Sequence, residues 1–485
     1  MLACFALCAR PMASADTWWH LATGRWIVQH HSIPHTDPFS YTFFGKPWIA
    51  HEYLADVMFY WIHWLGGFAA LTLVNAAILT AAFLLVYRRA EAGRWTSAAA
   101  LLLGVCAVRP GFAIRPASVT LLLGSVFLWI AHRYLRDGRW GRLLWCPALM
   151  LLWVQLHAGY MLGIGLLLAT ASAEALDAMA GRGHATRKEI AILLGAAVAC
   201  IAVVPLNPNG GTMLRYPFDV LSMRVNAFIY EWQPLQLSDS RYYPFLALAL
   251  LTLLAMLFSP KLYRPGEFLL FAVFLAAALR SGRNLTFFVL IAVPLLAEHV
   301  RVDWIARLAA RLRFPGWLAG AAAGAAVLAC TVLCAWQSVE GVRFQRSAES
   351  EVFPKAAVDF LLRHHLRPKL LNDYAYGGYL IWRFEPDHPE YRVYVDGRAD
   401  LYGDAFLLPF QKVYLAQESP DAILRREQIN TVLLFSGAKL ADLFRIKTGN
   451  GSWILIYEDP RAVIFVRGEQ PAVADARVPG PRASE

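Results

Sequence analysis

The sequence predicts an α-helical polytopic membrane protein with a small carboxyl-terminal α/β domain. Of its 485 residues, 58% are hydrophobic and only 16% are charged, whereas roughly 25% are charged in an ordinary globular chain. Water-soluble cores cannot hide so much apolar surface, so most of the chain must use lipid as its solvent. The same composition excludes disordered proteins and small disulfide scaffolds.

Apolar runs along the first 340 residues are the candidate membrane spans. Several are shorter than the roughly 20 residues that a span needs, so we expect some helices to be tilted, broken or re-entrant. The eleven predicted spans are 1–15, 68–87, 96–108, 116–131, 143–157, 159–177, 189–206, 245–259, 266–280, 285–299 and 317–336.

Basic residues are concentrated in alternate connections between these spans. They follow the second, fourth, sixth, eighth and tenth spans, and the positive-inside rule makes that side cytoplasmic. The amino terminus is then inside, and everything after residue 337 is outside. The net charge of +10 therefore reflects membrane orientation, and we expect no nucleic-acid partner.

The segment 16–52 is a large first outer loop in this topology. The run 1–15 before it is a membrane helix or, alternatively, a signal peptide that ends at Ala13-Ser14-Ala15; both place Asp16 on the outer face. Residues 53–66 predict an amphipathic helix on the membrane surface. Four indoles suit the membrane interface: Trp18, Trp19, Trp26 and Trp48.

The carboxyl-terminal region, 341–470, changes to the composition of a soluble α/β domain. VFPKAAVDFLLRHH predicts a helix, and KLLNDY, YRVYVDG, TVLLF, WILIYE and AVIFVR predict strands. Tyr376-Gly377-Gly378-Tyr379 is a tight loop that enters a helix. Asp396-Gly397-Arg398-Ala399-Asp400 follows a strand, where ligands often bind, although a salt-bridged turn is equally consistent. The tail 471–485 is expected to be disordered.

Short motifs recur at the predicted outer ends of the spans. D-x-W-W-H-L begins at Asp16, and T-D-P-F-S-Y-T and W-x-x-H-E follow it in the first outer loop. The other motifs are R-P-x-x-x-x-R-P at 109–116, W-V-Q-L-H at 153–157, E-W-Q-P at 231–234 and D-G-R-A-D-L-Y-G at 396–403. With the predicted topology, they resemble an uncharacterised bacterial branch of the GT-C superfamily of membrane glycosyltransferases, which includes protein O-mannosyltransferases, aminoarabinose transferases and oligosaccharyltransferases.

The resemblance implies an enzyme that transfers a sugar from a polyprenyl-phosphate donor, with inversion, at the outer face of a bacterial inner membrane. The implied partners are that donor, membrane lipid and an acceptor glycan, lipid or protein. A lipid or saccharide transporter or flippase is the alternative class, but it predicts internal repeats. A non-catalytic assembly partner with the same fold, and an O-antigen ligase or polymerase, are further alternatives.

Asp16 is the candidate catalytic residue. In the superfamily, the acidic residue at the start of the first outer loop is the catalytic base or positions the acceptor, and Asp16 has that place. A carboxylate beside interfacial indoles is poorly hydrated, which suits proton transfer; helix capping is the structural alternative. Many members carry a second carboxylate in Asp-Glu or Asp-x-Asp, a pattern missing here, so Asp37, Glu52 or Glu231 must supply it. We favour Glu52.

Further residues are expected to bind substrate or a cation. His20, one helical turn past Asp16, and His51 would orient the acceptor or, with two carboxylates, bind a divalent cation; no two-histidine helical spacing supports a metal site, and no cofactor is assigned. His157 ends an outward span, where it would line the substrate cavity, although a packing role is equally consistent. Glu231 beside Trp232 fits a carbohydrate contact, and its loop, 207–244, is long enough to form a lid.

Four arginines lie at the outer ends of short hairpins, on the side where the positive-inside rule predicts few basic residues. A guanidinium binds phosphate in a bidentate manner, and the leaving phosphate of a lipid-linked donor gains charge in the transition state. We expect at least two of them to contact that phosphate, with Arg115 and Arg283 preferred; snorkelling to lipid headgroups is the alternative. The four are Arg109, Arg115, Arg280 and Arg283.

Overall fold

A computed structural model gives the fold of the chain. The structure describes residues 1–9, 14–261, 263–300 and 349–468, with single residues and short runs between 317 and 340. The chain divides into two compact units. The first consists of Met1–Met12, Ala69–Ser222 and Asn226–Gly341, and the second of Ala13–Phe68, Met223–Val225 and Val342–Glu485.

Helices dominate the described residues. Before residue 300 they are α1 (Leu2–Cys8), α2 (Ala15–His30), α3 (Tyr53–Arg89), α4 (Arg94–Val108), α5 (Ala117–Asp137), α6 (Trp145–Leu156), α7 (Met161–Met179), α8 (Arg187–Val203), α9 (Thr212–Leu221), α10 (Tyr243–Leu257), α11 (Pro265–Arg280) and α12 (Leu285–His299). After residue 354 they are α13 (Lys355–Arg363), α14 (Gly377–Phe384), α15 (Ala399–Tyr414), α16 (Asp421–Arg426) and α17 (Lys439–Thr448).

Five helical stretches among the described residues are long and apolar enough to cross a membrane, as a multi-pass protein requires. They are Tyr53–Arg89, Ala117–Asp137, Ala158–Met179, Arg187–Leu206 and Ser240–Leu257, and the shorter apolar helices are Arg94–Val108 and Trp140–Leu156. The predicted span 1–15 contains the seven-residue α1, and its residues 10–13 lie outside the described part. Most of the predicted span 317–336 also lies outside it.

The first unit is built around α12, which is buried along nearly its whole length. This helix packs against α4, α10 and α11. A glycine permits the closest of these approaches, because a Cβ on Gly104 of α4 would lie 2.4 Å from the side chain of Val293. The predicted outer loop 207–244 contains α9 and three short 3-10 turns.

The first outer segment begins with a helix, where the sequence predicted a loop. α2 starts after Ser14, whose hydroxyl accepts a hydrogen bond from the backbone N–H of Asp16. It ends at His30, and the next residue, His31, adopts a left-handed conformation with φ of 50°. No proline interrupts residues 15–30, and Pro34 soon afterwards restricts the chain to non-helical geometry.

Trp18 lies at the centre of the second unit, where the sequence predicted a place in the membrane interface. The indole is 1% exposed and makes edge-to-face contacts with Phe68, Phe353 and Tyr379 at centroid separations of 5.0–5.2 Å. Trp48, also predicted at the interface, is likewise buried. The carboxyl-terminal region, which the sequence treated as separate, accounts for the difference: it supplies Phe353 and Tyr379 to Trp18, and the guanidinium of Arg398 to Trp48.

Four strands of the carboxyl-terminal region form one sheet, in the order β1-β2-β4-β3. β1 pairs parallel with β2, and the other two pairs are antiparallel. The sheet confirms the predicted small α/β region. The strands are β1 (Leu370–Asn372), β2 (Thr431–Phe435), β3 (Trp453–Glu458) and β4 (Ala462–Arg467).

The fifth predicted strand, YRVYVDG at 391–397, does not join this sheet. Val393 makes an isolated bridge with Ser40. The backbone of the next two residues bonds to a side chain instead: Tyr394 N–H donates to Oδ1 of Asn372 at 2.8 Å, and Nδ2 of Asn372 donates to the carbonyl of Val395 at 2.8 Å. The side chain of Asn372 therefore makes the hydrogen bonds that a neighbouring strand would make in a sheet.

The second unit thus joins the segment 13–68 to the carboxyl-terminal α/β region. The sequence placed 16–52 in a membrane domain spanning 1–340, and a separate domain at 341–470. The contacts of α2 with α14 are the physical reason for the different division. A break in α3 at Gly66 and Gly67, which have non-helical dihedral angles, lies next to the boundary between the units. The tail 471–485 lies outside the described residues.

Candidate functional site

Asp16 lies in the first turn of α2, and its side chain is partly exposed. The indole Nε1–H of Trp19 donates to its Oδ1 at 3.4 Å. A helix amino terminus favours a negative charge, because the first backbone N–H groups point toward it. The helix start therefore favours a negative charge at this position, and the residue remains partly exposed.

Two glycines from the carboxyl-terminal motifs make room for this helix start. A Cβ on Gly397 would lie 2.6 Å from Oδ1 of Asp16 and 3.2 Å from Nε1 of Trp19. A Cβ on Gly378 would lie 2.7 Å from the carbonyl oxygen of Ala15. The backbone of D-G-R-A-D therefore lies directly against the Asp16 carboxylate, a contact that the sequence did not predict.

A buried guanidinium fixes the D-G-R-A-D motif. Arg398 is 1% exposed and bonds to Oδ1 of Asp37 at 2.8 Å and to Oδ2 of Asp396 at 2.7 Å. The hydroxyl of Tyr402 also donates to Asp396, at 2.6 Å. Asp37 was predicted as a substrate-site residue and a candidate for the second carboxylate; the structure instead places it, almost fully buried, in this ion pair.

His20 connects α2 to the start of α3. Its Nδ1 lies 2.6 Å from Oδ1 of Asp56, and its Nε2 lies 3.6 Å from Oε2 of Glu52. His51 faces the other oxygen of Glu52 at 3.5 Å. The helices approach at Gly24, where a Cβ would lie 2.1 Å from the carbonyl oxygen of Asp56. Asp56, one helical turn past Glu52, is a member of the cluster that the sequence reading missed.

The carboxylates make both histidines more basic. Burial by itself lowers the pKa of His20, but Asp56, Glu52 and Asp16 outweigh it and raise that pKa above the ordinary value. Burial likewise opposes the charge on His51, yet Glu52 and then Asp400 raise its pKa to about 9. The imidazole of His51 therefore favours the protonated form at neutral pH, and the pKa of His20 is shifted in the same direction.

Asp400 and Tyr374 are further residues of the Asp16 region. Burial raises the pKa of the Tyr374 hydroxyl well above its usual value, and the charges of Asp16, Asp396 and Asp400 raise it further. Asp400 is partly exposed, unlike Asp37 and Glu52, and it also acts on His51. Its place directly after the predicted strand YRVYVDG was the available sequence signal.

Metal ligands do not cluster in the part of the chain that the structure describes. There, no group of three or more His, Cys, Asp or Glu side chains is arranged to hold a metal ion. The divalent cation left open by the sequence has no site among these residues.

Three of the residues predicted to bind substrate lie together in the first unit: two of the arginines predicted to contact the donor's phosphate and Glu231, predicted to contact carbohydrate. Nη1 of Arg115 lies 2.5 Å from both carboxylate oxygens of Glu231. The guanidinium of Arg283 lies 4.7 Å from the ring centre of Trp232, and the hydroxyl of Ser281 donates to the carbonyl of Glu231 at 3.0 Å. Sequence positions 115, 231 and 283 thus converge on one cluster, which we call the arginine cluster.

The other predicted binding residues of the first unit lie in different environments. Arg280 is exposed at the end of α11, and Arg109 follows α4 with a buried Nε that has no hydrogen-bond partner among the described residues. His157 is buried, with Nδ1 2.7 Å from the Thr120 hydroxyl and accepting from the backbone N–H of Gly159. These contacts fit the packing role that the sequence left as the alternative for His157.

Comparison with solved structures identifies the fold. The chain superposes on the archaeal oligosaccharyltransferase AglB from Archaeoglobus fulgidus, in complex with an inhibitory peptide and a dolichol-phosphate, with a TM-score of 0.55, 10% identity and coverage of 90% of this chain and 68% of that one. An apo oligosaccharyltransferase from the same organism gives a TM-score of 0.51, 12% identity and coverage of 90% and 69%. Sequence comparison finds no match among protein families or curated proteins. At this identity the likeness shows the fold alone, and the fold is that of these oligosaccharyltransferases.

Substituting Gly397 tests whether the D-G-R-A-D backbone positions Asp16. In Gly397→Ala the new methyl group would overlap the Asp16 carboxylate, which is the movable end of a side chain, so we expect the carboxylate to shift while the fold survives. The melting temperature should stay within about 2 °C of wild type, while any activity that depends on the Asp16 carboxylate should fall by about tenfold or more in kcat. Wild-type kcat in a correctly folded variant would contradict the contact.

The histidine cluster predicts a pH-dependent stability. Because the pKa of His51 is raised from 6.5 to about 9 on folding, its contribution is fully present below pH 6.5 and is lost as the pH rises through about 9. The shift of His20 has the same direction. We therefore expect the melting temperature to fall over this window in wild type, and to fall less in His51→Gln. The control is His364→Gln, at an exposed histidine, and its melting temperature should depend on pH as that of wild type does. An equal pH dependence in wild type and both variants would show that His51 does not contribute.

Proposed function

We propose that the chain is a membrane glycosyltransferase that moves a sugar from a polyprenyl-phosphate donor to an acceptor at the outer face of a bacterial inner membrane. The observation that carries the proposal is the partly exposed Asp16 carboxylate, held at a helix start by the Gly397 backbone. The GT-C fold supports it, since the oligosaccharyltransferase of the same fold was solved with a dolichol-phosphate.

Asp16 acts on the acceptor in this proposal. Its carboxylate accepts the proton of the attacking hydroxyl or amine as that group forms a bond to the anomeric carbon. The bond from the anomeric carbon to the phosphate oxygen breaks, and its electron pair leaves with the phosphate. Attack on the side opposite the leaving group inverts the anomeric centre.

Asp400 replaces Glu52 as the proposed second carboxylate. Glu52 was predicted to be catalytic, but it is 7% exposed and lies between two histidines, so it suits a positioning role. Asp400 is partly exposed and shares the electrostatic surroundings of Asp16 through Tyr374. We propose that Asp400 orients the acceptor, while Glu52 and the histidines fix α2 against α3.

The arginine cluster is the proposed site for the donor's phosphate. The guanidinium of Arg115 forms an ion pair with the Glu231 carboxylate. The donor's phosphate would replace this carboxylate, because a phosphate presents more charge and more acceptor oxygens to the same guanidinium. Arg283 brings a second positive charge beside Trp232. Together they would stabilise the charge that develops on the leaving phosphate.

The predicted topology belongs to the proposal as well. Eleven spans with a cytoplasmic amino terminus would place Asp16 and the residues after 337 on the outer side of the membrane, as the charge distribution requires. The second unit would then be periplasmic or extracytoplasmic.

Asp16→Asn is the direct test of the proposed base. The amide keeps the shape and the Trp19 contact but accepts a proton poorly, so we expect transfer from a purified polyprenyl-phosphate sugar to fall by roughly 10²–10⁴-fold with an unchanged melting temperature. The exposed Asp442 provides the control, and Asp442→Asn should transfer normally. Normal transfer by Asp16→Asn would remove this residue from the mechanism.

Arg115→Gln tests the phosphate site separately. Losing a charge-assisted contact to phosphate should raise the KM for the lipid donor by about tenfold or more and change the KM for the acceptor little. The matched control is Arg241→Gln, because Arg241 is an exposed arginine of the same unit that pairs with Asp239. Equal donor KM values in the two variants would exclude Arg115 from donor binding.

A further inference from the structure

A cavity of about 420 Å³ lies in the second unit, lined by residues that the proposed mechanism does not use. Residues 42–46 of the first outer segment form one wall, and α15 and α16 form much of the rest. Such a volume is in the range of small-molecule sites, roughly 300–1,000 Å³, and holds one or two sugar rings. Its main lining residues are Phe43, Lys46, Tyr394, Phe406, Arg426 and Glu427.

Aromatic rings make up the apolar part of the lining. Phe406 lies at the centre, with its ring 5.2 Å from those of Phe43 and Tyr394 and 5.3 Å from that of Tyr402. The rings of Phe43 and Phe406 are nearly perpendicular, at 82°. The cavity therefore offers ring faces in more than one direction, and the apolar face of a sugar ring packs on such surfaces.

The charged residues of the lining give the cavity a positive balance. Nε of Arg426 pairs with Glu427 at 2.7 Å, which neutralises one charge, while Lys46 lies 4.0 Å from the centre of the Phe43 ring. Two cations against one carboxylate leave one positive charge in the lining. The side chain of Arg426 is 66% exposed, so it can turn toward a bound anion at little cost.

We propose that this cavity binds an acidic sugar, with the ring against Phe43 and Phe406 and its carboxylate or phosphate on Lys46 and Arg426. Neutral sugars would use the aromatic faces alone and bind more weakly. That the acidic sugar is part of the acceptor rests on the proposed transferase function, but the binding itself does not. The cavity would then set which acceptor glycans the chain accepts.

Calorimetric titration of the full-length protein in detergent tests the proposal, with glucuronate, glucose 6-phosphate, glucose and inorganic phosphate as probes. For a ligand this small we expect a Kd on the order of 1 mM for glucuronate and glucose 6-phosphate, and at least about tenfold weaker binding of glucose. Arg426→Gln should weaken both acidic sugars by about tenfold and leave glucose unchanged. Arg425→Gln, on the neighbouring exposed arginine outside the lining, should change neither.

A second variant separates a sugar site from a simple anion site. Phe406→Leu keeps an apolar side chain but removes the ring face, so it should weaken glucuronate and glucose alike. The proposal would be overturned if inorganic phosphate bound as tightly as glucose 6-phosphate, or if glucuronate bound no more tightly than glucose. Unchanged binding in both Arg426→Gln and Phe406→Leu would also overturn it. The titration contains no sugar donor, so its result does not depend on whether the chain transfers a sugar. If the chain transfers sugar but does not bind glucuronate, only the cavity proposal fails.

Discussion

The buried guanidinium of Arg398 is the interaction on which the second unit depends. It bonds to Asp37 of the first outer segment and to Asp396 of the carboxyl-terminal region, two carboxylates that are 361 and 2 residues away in sequence. A charge removed from water is stable only when it is paired, and loss of one partner typically costs 3–5 kcal/mol because the other charge stays buried alone. The rings of Trp48 and Phe39 lie 4.5 and 5.2 Å from the guanidinium and exclude water from it. The pair thereby fixes the position of Gly397, next to Arg398, and so of the Asp16 carboxylate.

The proposed site follows from that geometry. Gly378 and Gly397 lack the side chains that would displace the start of α2, so the carboxyl-terminal backbone reaches Asp16 directly. Beneath it, Gly24 lets α3 approach closely enough for His20 to reach Asp56. The buried carboxylates of Asp37 and Asp396 pair with Arg398, and those of Glu52 and Asp56 face His20, whereas Asp16 and Asp400 are partly exposed. This difference in burial separates four acids that hold the unit together from the two that we propose act on the acceptor.

Local patterns predicted the elements of this fold but not their long-range partners. Apolar runs predicted helices such as α5, α7 and α8, and apolar β-branched runs predicted β2, β3 and β4. Asp16 and His20 were identifiable because they lie one turn apart in a short motif. The partner of Asp37, Arg398, and that of Trp18, Tyr379, could not be identified from the sequence. Each lies more than 300 residues away, and no local pattern indicates the contact. YRVYVDG was predicted as a strand because propensity says nothing of the Asn372 side chain that takes its hydrogen bonds.

Chemical rescue of Asp16→Ala tests the central claim most directly, because it asks whether a carboxylate at this point performs the transfer. The variant leaves a space beside Trp19 and Gly397 that formate can enter, and formate supplies the missing proton acceptor. The account predicts that transfer from a polyprenyl-phosphate sugar, lost in the variant, returns in proportion to formate concentration, while chloride at equal ionic strength has no effect. Transfer by Asp16→Ala at the wild-type rate without any added anion would contradict it.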